Sequence, residues 1–384
     1  MGILNLGATV IKMKKSKLLY VLMLSVAACG VYAASATSPV FGVYNVDCPA
    51  DSDTYIGIPT TRTPEFSGVV EGIQTANFRI VAKGDPQWAA NKFVYSAGSQ
   101  PNHYYIKFTS GELEGAWFDI KSNDTYSLEI EIGSAELAKV VSGDSFQIIP
   151  HWTMSTLFPD GGGFAKGTKI AATAGASILY KNTAFENGVI YPTGANNAAL
   201  SSFYYRERGT NIGWRNRNNE DASNEVVEPN AFFQVSQPAV ESSVSYSGII
   251  PMCATSFVLF TLENDGEVVN QDIYLAAPSA VDFQLSELTS SLVGSGAFVP
   301  STGIATSPVD TIYIFENEKL GKNLAADDAC FYRSRGTTKK WLDRNRSDAD
   351  SRIIKAGTAL VITKKAEVEP VAYRCKFIPS YISK

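Results

Sequence analysis

Hydrophobic and polar residues alternate along the first half of the chain with the period of a β-strand. The alternation is clear at 104–108, and again at 128–132, where leucine and isoleucine alternate with two glutamates. A period of two is typical of half-buried antiparallel strands with one face toward water. Clusters of Ser, Gly, Asn and Asp separate these strands at the spacing found in sandwiches and barrels. The pattern predicts an all-β, mainly antiparallel fold with an N-terminal barrel-like or sandwich-like domain and one short helix at 135–141.

Two segments of the chain repeat each other. Residues 205–235 and 332–362 align without a gap and share ten identities in 31 positions, including the motif Tyr-Arg-x-Arg-Gly-Thr-x-x-x-Trp. Unrelated segments of ordinary composition would match at roughly two of these positions. In each copy an aromatic strand ends at Arg-Gly-Thr, turns, and resumes at Trp214 or Trp341. We predict two equivalent β-hairpins with arginines pointing outward and aromatic rings pointing inward.

The duplication and the length together predict the domain organisation. A mature chain of about 350 residues exceeds what one hydrophobic core usually fills, so two or three domains are expected. We place a signal peptide at 1–33, an N-terminal β domain at 38–152, a first β-rich repeat unit at 153–238 and a second one at 239–384.

The N-terminal segment indicates export. Lysines follow Met13, the expected start, and an apolar run at 18–28 precedes a stretch without charge that lasts until Asp47. This is the arrangement of a secretory signal peptide, and the small residues at 31–33 and 34–36 fit cleavage by ordinary signal peptidase. In the alternative, Val-Ala-Ala-Cys at 26–29 is similar to a bacterial lipobox, and acylated Cys29 would tether the protein to a membrane. The run is short for a spanning helix, which needs about 20 apolar residues, and we predict no transmembrane helix in the mature chain.

Composition narrows the functional classes. The chain is 45% hydrophobic and 18% charged, which predicts a folded core, and its net charge of −5 argues against a nucleic-acid-binding protein. Because it has two histidines and no Cys-x-x-Cys pair, we expect neither a metal site nor another cofactor. In an oxidising compartment the remaining cysteines, Cys48, Cys253, Cys330 and Cys375, could make two disulfides, with three pairings between which their spacing does not choose.

Short motifs spread over nearly all of the mature chain carry a resemblance. They are Ser-Asp-Thr at 52–54, Ile-Pro at 58–59, Trp-Ala-Ala-Asn-Lys-Phe-Val-Tyr at 88–95, Thr-Ser-Gly-Glu-Leu-Glu-Gly at 109–115, Gly-Asp-Ser-Phe at 143–146, Ile-Pro-His-Trp-Thr at 149–153, Thr-Leu-Phe-Pro at 156–159, Phe-Glu-Asn at 315–317 and Phe-Tyr at 331–332. Together they resemble a family of signal-peptide-bearing secreted proteins abundant in Verrucomicrobia and related bacteria. The resemblance implies export and β-rich repeats, and it carries no assigned activity or site residues. The arginine-rich hairpins depart from the usual pattern of that family, which has shorter and more neutral hairpins.

Cations on the two hairpins are the main candidates for binding. Four cations in the first copy and six in the second lie beside aromatic residues, and guanidinium groups bind sulfate, carboxylate and phosphate in bidentate fashion. The candidate ligand-binding set consists of Arg206, Arg208, Trp214, Arg333, Arg335 and Trp341. The favoured interpretation is that charges on edge strands prevent aggregation and are neutralised by acids that follow them: Glu220, Asp221, Glu225 and Glu228 in one copy, Asp348 and Asp350 in the other.

Other chemistry finds weaker support in the sequence. Asp119, Glu129 and Glu131 would supply a glycosidase-type carboxylate pair, but two of them occupy water-facing strand positions. A nucleophilic triad would depend on His103 or His151, the second of which we interpret as a packing residue. Residues 343–350 have the oxygen density of a calcium loop without its glycine, which favours a solvated polar turn.

Two functional hypotheses follow from the sequence. The preferred one is an exported, non-catalytic structural or adhesive protein of the bacterial periplasm, cell surface or surroundings, with an outer-membrane lipoprotein as the alternative location. The other is a carbohydrate-binding or polyanion-binding protein that uses the repeated hairpins. Expected partners are polysaccharides or other envelope proteins, and nucleic acid is not among them.

Overall fold

The chain is built mainly of short antiparallel strands. The computed structural model describes residues 39–168, 175–180, 183–186, 189–192, 201–264, 266–303 and 309–382. Its strands in chain order are β1 (Phe41–Cys48), β2 (Asp53–Gly57), β3 (Phe66–Gln74), β4 (Arg79–Ala82), β5 (Tyr104–Phe108), β6 (Trp117–Asn123), β7 (Ser127–Ile130), β8 (Ser145–Pro150), β9 (Trp152–Thr153), β10 (Ser177–Tyr180), β11 (Thr183–Glu186), β12 (Val189–Pro192), β13 (Ser201–Arg208), β14 (Asn211–Asn216), β15 (Val226–Val227), β16 (Phe232–Ser236), β17 (Ser242–Ile249), β18 (Thr255–Phe260), β19 (Leu262–Asn264), β20 (Glu267–Val269), β21 (Gln271–Ala276), β22 (Phe283–Gln284), β23 (Thr311–Phe315), β24 (Asp328–Arg335), β25 (Thr338–Leu342), β26 (Ile353–Ile354), β27 (Ala359–Lys364) and β28 (Ala372–Phe377). The short helices α1 (Ser134–Leu137) and α2 (Met154–Leu157) lie between them, with further helical turns at Thr75–Asn77, Pro159–Gly161, Leu285–Glu287 and Ser290–Gly294.

Residues 66–150 close into a six-stranded barrel. Its strand order is β3-β4-β7-β6-β5-β8, and β8 pairs with β3 to complete the circle. The interior is filled by buried aromatic and aliphatic side chains, among them Phe93, Phe108, Phe118 and Phe146. Closure removes the free strand edges that an open sheet would expose. The predicted N-terminal barrel and the all-β class are therefore confirmed.

Two details of the prediction for the barrel need correction. The predicted helix ends at Leu137 because the chain then turns and Val140 joins the barrel core. Strand β5 is buried on both faces, whereas the alternation predicted one wet face. On the outer face, Tyr105 packs against Trp117 and Ile149. The segment around Ala254 lies against the turn after β5, where its N–H donates to the carboxylate of Glu114 at 3.2 Å.

Two five-stranded sheets follow one strand order. The first is β14-β13-β10-β16-β2, and the second is β25-β24-β23-β27-β21. The duplicated hairpin forms one edge of each sheet, with Tyr205 opposite Trp214 in the first and Tyr332 opposite Trp341 in the second. A two-stranded ribbon accompanies each sheet, β1 with β17 and β18 with β28. We call the strands of these two sets the first repeat and the second repeat, and their relation confirms the predicted duplication.

The similarity extends beyond the aligned residues. Strand β9 pairs with β15, and β22 pairs with β26 at the aligned positions. A helical turn follows β9 and another follows β22. In both, the last residue of the strand donates its backbone N–H to the side chain of the residue three positions later. Thr156 accepts from the N–H of Thr153 at 2.8 Å, and Glu287 accepts from the N–H of Gln284 at 2.8 Å. Such bonds satisfy a backbone donor that the first helical turn leaves free.

The barrel interrupts the first repeat. Strand β2 precedes the barrel in the chain, yet its sheet partner is β16, which follows it. Strand β1 likewise pairs with β17. The second repeat is continuous from β18 to β28. Strand pairing thus crosses the positions 152 and 238 at which we placed domain boundaries, and those boundaries stay a prediction.

The two repeats contact each other through a reciprocal pair of backbone hydrogen bonds. The N–H of Gly57 donates to the carbonyl of Gly357 at 2.8 Å, and the N–H of Ala276 donates to the carbonyl of Asn230 at 3.0 Å. Asn230 and Gly357 occupy aligned positions, so each repeat makes the same contact to the other, as in a two-fold interface. Apolar side chains surround these bonds: Tyr55, Phe232, Tyr274, Phe315, Leu324, Ala359 and Val361.

The four described cysteines are free thiols. All of them are buried, Cys48 in the core of the first repeat and Cys330 and Cys375 in the core of the second. The two disulfides considered from the sequence are therefore wrong for these residues, because folding buries each thiol apart from the other sulfur atoms. Burial raises the pKa of the Cys48 thiol to about 11 and those of Cys330 and Cys375 to about 12, which disfavours the reactive thiolate.

The close approach of the repeats predicts that Gly57 tolerates no side chain. A Cβ on Gly57 would lie 2.8 Å from both the Cβ of Ala276 and the backbone oxygen of Thr358. We expect Gly57→Ala to lower the free energy of unfolding by about 1–3 kcal/mol in urea titrations. Gly72→Ala is the control, because Gly72 also lies in a strand and a Cβ there meets nothing within 4 Å. Equal effects of the two substitutions would show that this contact does not constrain the fold.

Candidate functional site

The repeated hairpins place their cations at the outer edges of the two sheets. Each hairpin turns through two residues, and the first of them, Gly209 or Gly336, has a positive φ of 56° or 58°. Glycine adopts this conformation without strain, which explains the Arg-Gly-Thr motif at each turn. Because β14 and β25 are the last strands of their sheets, the hairpin ends lie away from the contact between the repeats.

The tryptophans of the predicted site belong to the cores. The rings of Tyr205 and Trp214 meet edge to face at 5.4 Å and 77°, and those of Tyr332 and Trp341 meet at 5.4 Å and 76°. Trp214 is 1% exposed and Trp341 is completely buried. The folded hairpins therefore offer no indole face on which a sugar ring would stack.

The indole N–H groups show why the motif needs tryptophan. Trp214 donates to the backbone carbonyl of Phe158 at 3.0 Å, and Trp341 donates to the hydroxyl of Thr289 at 3.0 Å. Phe158 and Thr289 follow equivalent helical turns, so the same anchor joins hairpin and turn in both repeats. A buried indole N–H without an acceptor would cost free energy, and these bonds avoid that cost.

The arginines nearest the cores differ between the two copies. Arg206 is only 8% exposed, and its guanidinium donates to Asn219 at 2.8 Å, as does the hydroxyl of Tyr204. Arg333 occupies the aligned position and is half-buried. The backbone beside each arginine forms a parallel bridge with a neighbouring segment, to Gly167 in one copy and to Ser301 in the other. Arg206 is thus a buried side chain whose hydrogen bond to Asn219 stabilises the first hairpin.

The arginines at the hairpin ends are exposed. Arg208 and Arg335 precede the two glycine turns and face solvent. Within the part of the chain that the structure describes, neither these two nor Arg333 lies within 4 Å of a carboxylate. Their guanidinium groups are therefore available to an external anion.

Nearby acids neutralise only part of this charge. Lys340 approaches the carboxylate of Asp348 at 2.9 Å, and this hydrogen bond lowers the pKa of Asp348. The side-chain hydrogen bond from Ser223 is the main cause that lowers the pKa of Asp221, and the charge of Arg215 adds to it. The predicted neutralisation by nearby acids thus applies to Lys340 and Arg215. It does not apply to Arg208 and Arg335 at the hairpin ends.

The segment 343–350, which the sequence analysis compared with a calcium loop, is an ordinary polar turn. One carboxylate oxygen of Asp343 accepts hydrogen bonds from the N–H groups of Asn345 and Ser347, each at 2.8 Å. Asn216, at the aligned position in the first repeat, accepts two backbone N–H groups in the same way. The oxygen is therefore occupied by the turn itself. Among the described residues, no group of three or more His, Cys, Asp or Glu side chains is arranged to hold a metal ion.

A cleft that the sequence analysis missed lies between the barrel and the first sheet. Its volume is about 570 Å³, within the range of ligand pockets. Tyr95 and His103 line one side of it, and their rings stack at 4.3 Å and 10°. The other side carries three carboxylates and a phenol, from Tyr180, Asp221, Glu225 and Glu228. The carboxylates make this cleft suited to cations or sugar hydroxyls and unsuited to a polyanion.

The structure also joins two residues that the sequence analysis treated separately. The Nε2 atom of His151 lies 2.7 Å from Asp119, and the rings of Tyr105 and Trp117 enclose the imidazole. His151 is 2% exposed, which agrees with its interpretation as a packing residue. Strand alternation gave no sign of the pair because β6 and the end of β8 are distant in sequence and come together only where both strands flank β5.

The geometry defines the class of protein. It is an all-β protein of two related repeats, the first interrupted by a six-stranded barrel and both carrying a cationic hairpin at the outer sheet edge. A scan against models of protein families, a search of curated proteins and a search of solved structures each found no match to this chain. The resemblance to the secreted proteins of Verrucomicrobia remains a prediction.

The export segment and Cys29 lie outside the described residues. For the rest of the chain that the structure describes, no helix combines the length and apolar character needed to cross a bilayer.

Partial burial lowers the pKa of His103 below its usual value of 6.5, with His151 adding to the effect and Asp119 opposing it. The folded state therefore binds a proton at lower pH than the unfolded state, and stability present above pH 6.5 should fall as the pH drops toward the folded pKa. Because the chain has only two histidines, NMR titration resolves this directly, with His103→Asn assigning the signal. A midpoint for His103 at or above 6.5 would contradict the prediction.

Proposed function

We propose that this chain is an exported, non-catalytic protein that acts as a structural or adhesive module in the cell envelope or outside the cell. The observation that carries the proposal is the reciprocal packing of the two repeats, which covers their inner strands and leaves two cationic hairpins at the outer edges. A module built in this way resists separation at its centre and presents its two similar ends to partners.

Contacts at the edge of β2 support the structural role. The amide of Asn317 binds both backbone groups of Tyr55, accepting from its N–H at 2.7 Å and donating to its carbonyl at 2.8 Å. Asn317 thus takes the place of a neighbouring strand. Next to it, the N–H of Gly321 donates to Ser52 at 3.0 Å and its carbonyl accepts from the N–H of Asp53 at 2.7 Å. A loop of the second repeat therefore seals the edge strand of the first, which prevents that edge from pairing with another chain.

The test of this role begins with cell fractionation. A chain begun at Met13 and carrying a C-terminal tag should appear in the envelope or the medium as a species that lacks the signal peptide, and it should pellet with isolated envelopes. Cys29→Ala separates the two locations, because only a lipoprotein would lose its membrane attachment. Recovery of the full-length chain in the cytosol would contradict export, and a processed chain that binds no envelope component would contradict adhesion.

A second candidate function is binding of acidic polysaccharide at the hairpins. The observation that favours it is the exposure of Arg208 and Arg335 without a neighbouring carboxylate. Sulfate and uronate groups accept paired hydrogen bonds from guanidinium, and two such sites on one molecule would strengthen binding to a long polymer.

We expect Arg208→Ala/Arg335→Ala to weaken binding to heparin at least about tenfold, because each charged hydrogen bond contributes roughly 1.5–3 kcal/mol. The measurement is calorimetric titration at two salt concentrations. Lys340→Ala/Arg344→Ala is the matched control, since it removes two positive charges from residues that already have acidic partners. Equal losses for the two variants would indicate a general charge effect, and no heparin binding by the original protein would leave the structural role as the proposal.

A further inference from the structure

A lysine lies completely buried at the end of β27. Lys364 has no exposed surface, and the same holds for the side chain of Asp310, which immediately precedes β23. The two strands are antiparallel neighbours, with Thr311 opposite Thr363, so Asp310 and Lys364 are the next facing pair. Buried lysine is rare because removing an ammonium group from water is costly unless the charge is compensated.

The two side chains are in contact and the carboxyl group is held in place. The Nζ atom of Lys364 lies 3.2 Å from Oδ2 of Asp310. The same oxygen accepts the N–H of Val299 at 2.7 Å, and Oδ1 accepts the N–H of Lys365 at 2.8 Å. These two backbone donors orient the carboxyl group. They would also stabilise negative charge on its oxygens if a nucleophile attacked its carbon.

A second carboxylate reaches the lysine from the other side. Oε1 of Glu367 lies 2.6 Å from Nζ of Lys364, and Oε2 accepts the hydroxyl of Tyr373 at 3.2 Å. The ring of Tyr373 lies against the ammonium group, with its centroid 5.4 Å from Nζ. One lysine is thus enclosed by two acids and an aromatic ring.

The first repeat does without these charges. Its residue aligned with Lys364 is Gln237, and the strand register places Ala176 where the second repeat has Asp310. Both are buried. Since the same sheet forms around a neutral pair, the fold alone does not require the buried charges in the second repeat.

We propose that Lys364 and Asp310 join in an intramolecular amide bond that crosslinks β27 to β23. Nζ of Lys364 bonds to Cγ of Asp310, and Oδ2 leaves as water. Two of the three ammonium protons move to the departing oxygen, and Glu367 relays them. The ammonium and carboxylate charges cancel, so the reaction needs no further reactant.

The surroundings favour this reaction over a persistent ion pair. The reacting groups are already in contact in a fixed orientation. Folding has therefore already met much of the entropic cost of bringing two reactants together. Amide formation removes both charges from a buried site in which they are costly. Because the site excludes bulk water, reversal by hydrolysis is disfavoured.

The test is the mass of the intact, purified mature protein after reduction of its cysteines. The proposal predicts a mass lower than that of the sequence by one water molecule, and a branched tryptic peptide in which the uncleaved Lys364 is joined to Asp310. Lys364→Met should restore the full mass, whereas Lys365→Gln, the neighbouring control, should keep the loss.

Glu367→Gln tests whether Glu367 relays protons or only has a structural role. Because this variant keeps both reacting groups, it also serves as the test if Lys364→Met does not fold. We expect the crosslink to form about 10²–10⁴ times more slowly in this variant, followed as mass loss over time after purification. An intact mass equal to that of the sequence, with trypsin cleaving after Lys364 in the denatured protein, would overturn the proposal and leave an ion pair only. A mass loss that persists in Lys364→Met would overturn it as well.

Discussion

Two backbone hydrogen bonds, from Gly57 to Gly357 and from Ala276 to Asn230, determine how the two sheets meet. Gly57 also accepts the hydroxyl of Tyr246 at 2.7 Å, so both of its backbone groups are satisfied in the interior. A buried backbone group left without a partner costs about 1–3 kcal/mol, and separating the repeats would expose or orphan several such groups. Each repeat therefore depends on the other for the integrity of its inner strand. The same contact fixes which sheet edges are covered and which remain free for the hairpins.

The two repeats share a framework and differ in what it holds. Both fix the hairpin through a buried tryptophan, yet the acceptor is the carbonyl of Phe158 in one and the hydroxyl of Thr289 in the other. The facing positions at the end of the central strands hold Ala176 and Gln237 in one repeat and Asp310 and Lys364 in the other. The hydrogen bond of the tryptophan to the helical turn is thus kept in both repeats, whereas the charge of the facing pair differs. Function is therefore best sought where the copies differ and where their cations are exposed.

Local patterns predicted the parts of the structure that local physics decides. The barrel, the all-β class and the hairpins followed from a period of two and from glycine at turns. Other features depend on which strands become neighbours, and that cannot be read from the pattern of a single sequence. They are the burial of Tyr105, the pairing of Asp119 with His151 and the contact of Lys364 with Asp310. The disulfide expectation failed for the same reason, because cysteine count says nothing about where each thiol is packed.

The interruption of the first repeat by the barrel has a kinetic consequence. Contacts between residues close in sequence form sooner than distant ones, because closing a long loop costs more entropy. The barrel and the second repeat are each assembled from a continuous segment, whereas β1 and β2 need partners that leave the ribosome only after the whole barrel. Strands β1 and β2 are thus synthesised before the barrel and yet are among the last to find their places. Until then the apolar side chains of β1 that the folded core covers, Tyr44 and Val46 among them, stay exposed, and a growing chain must keep them from aggregating.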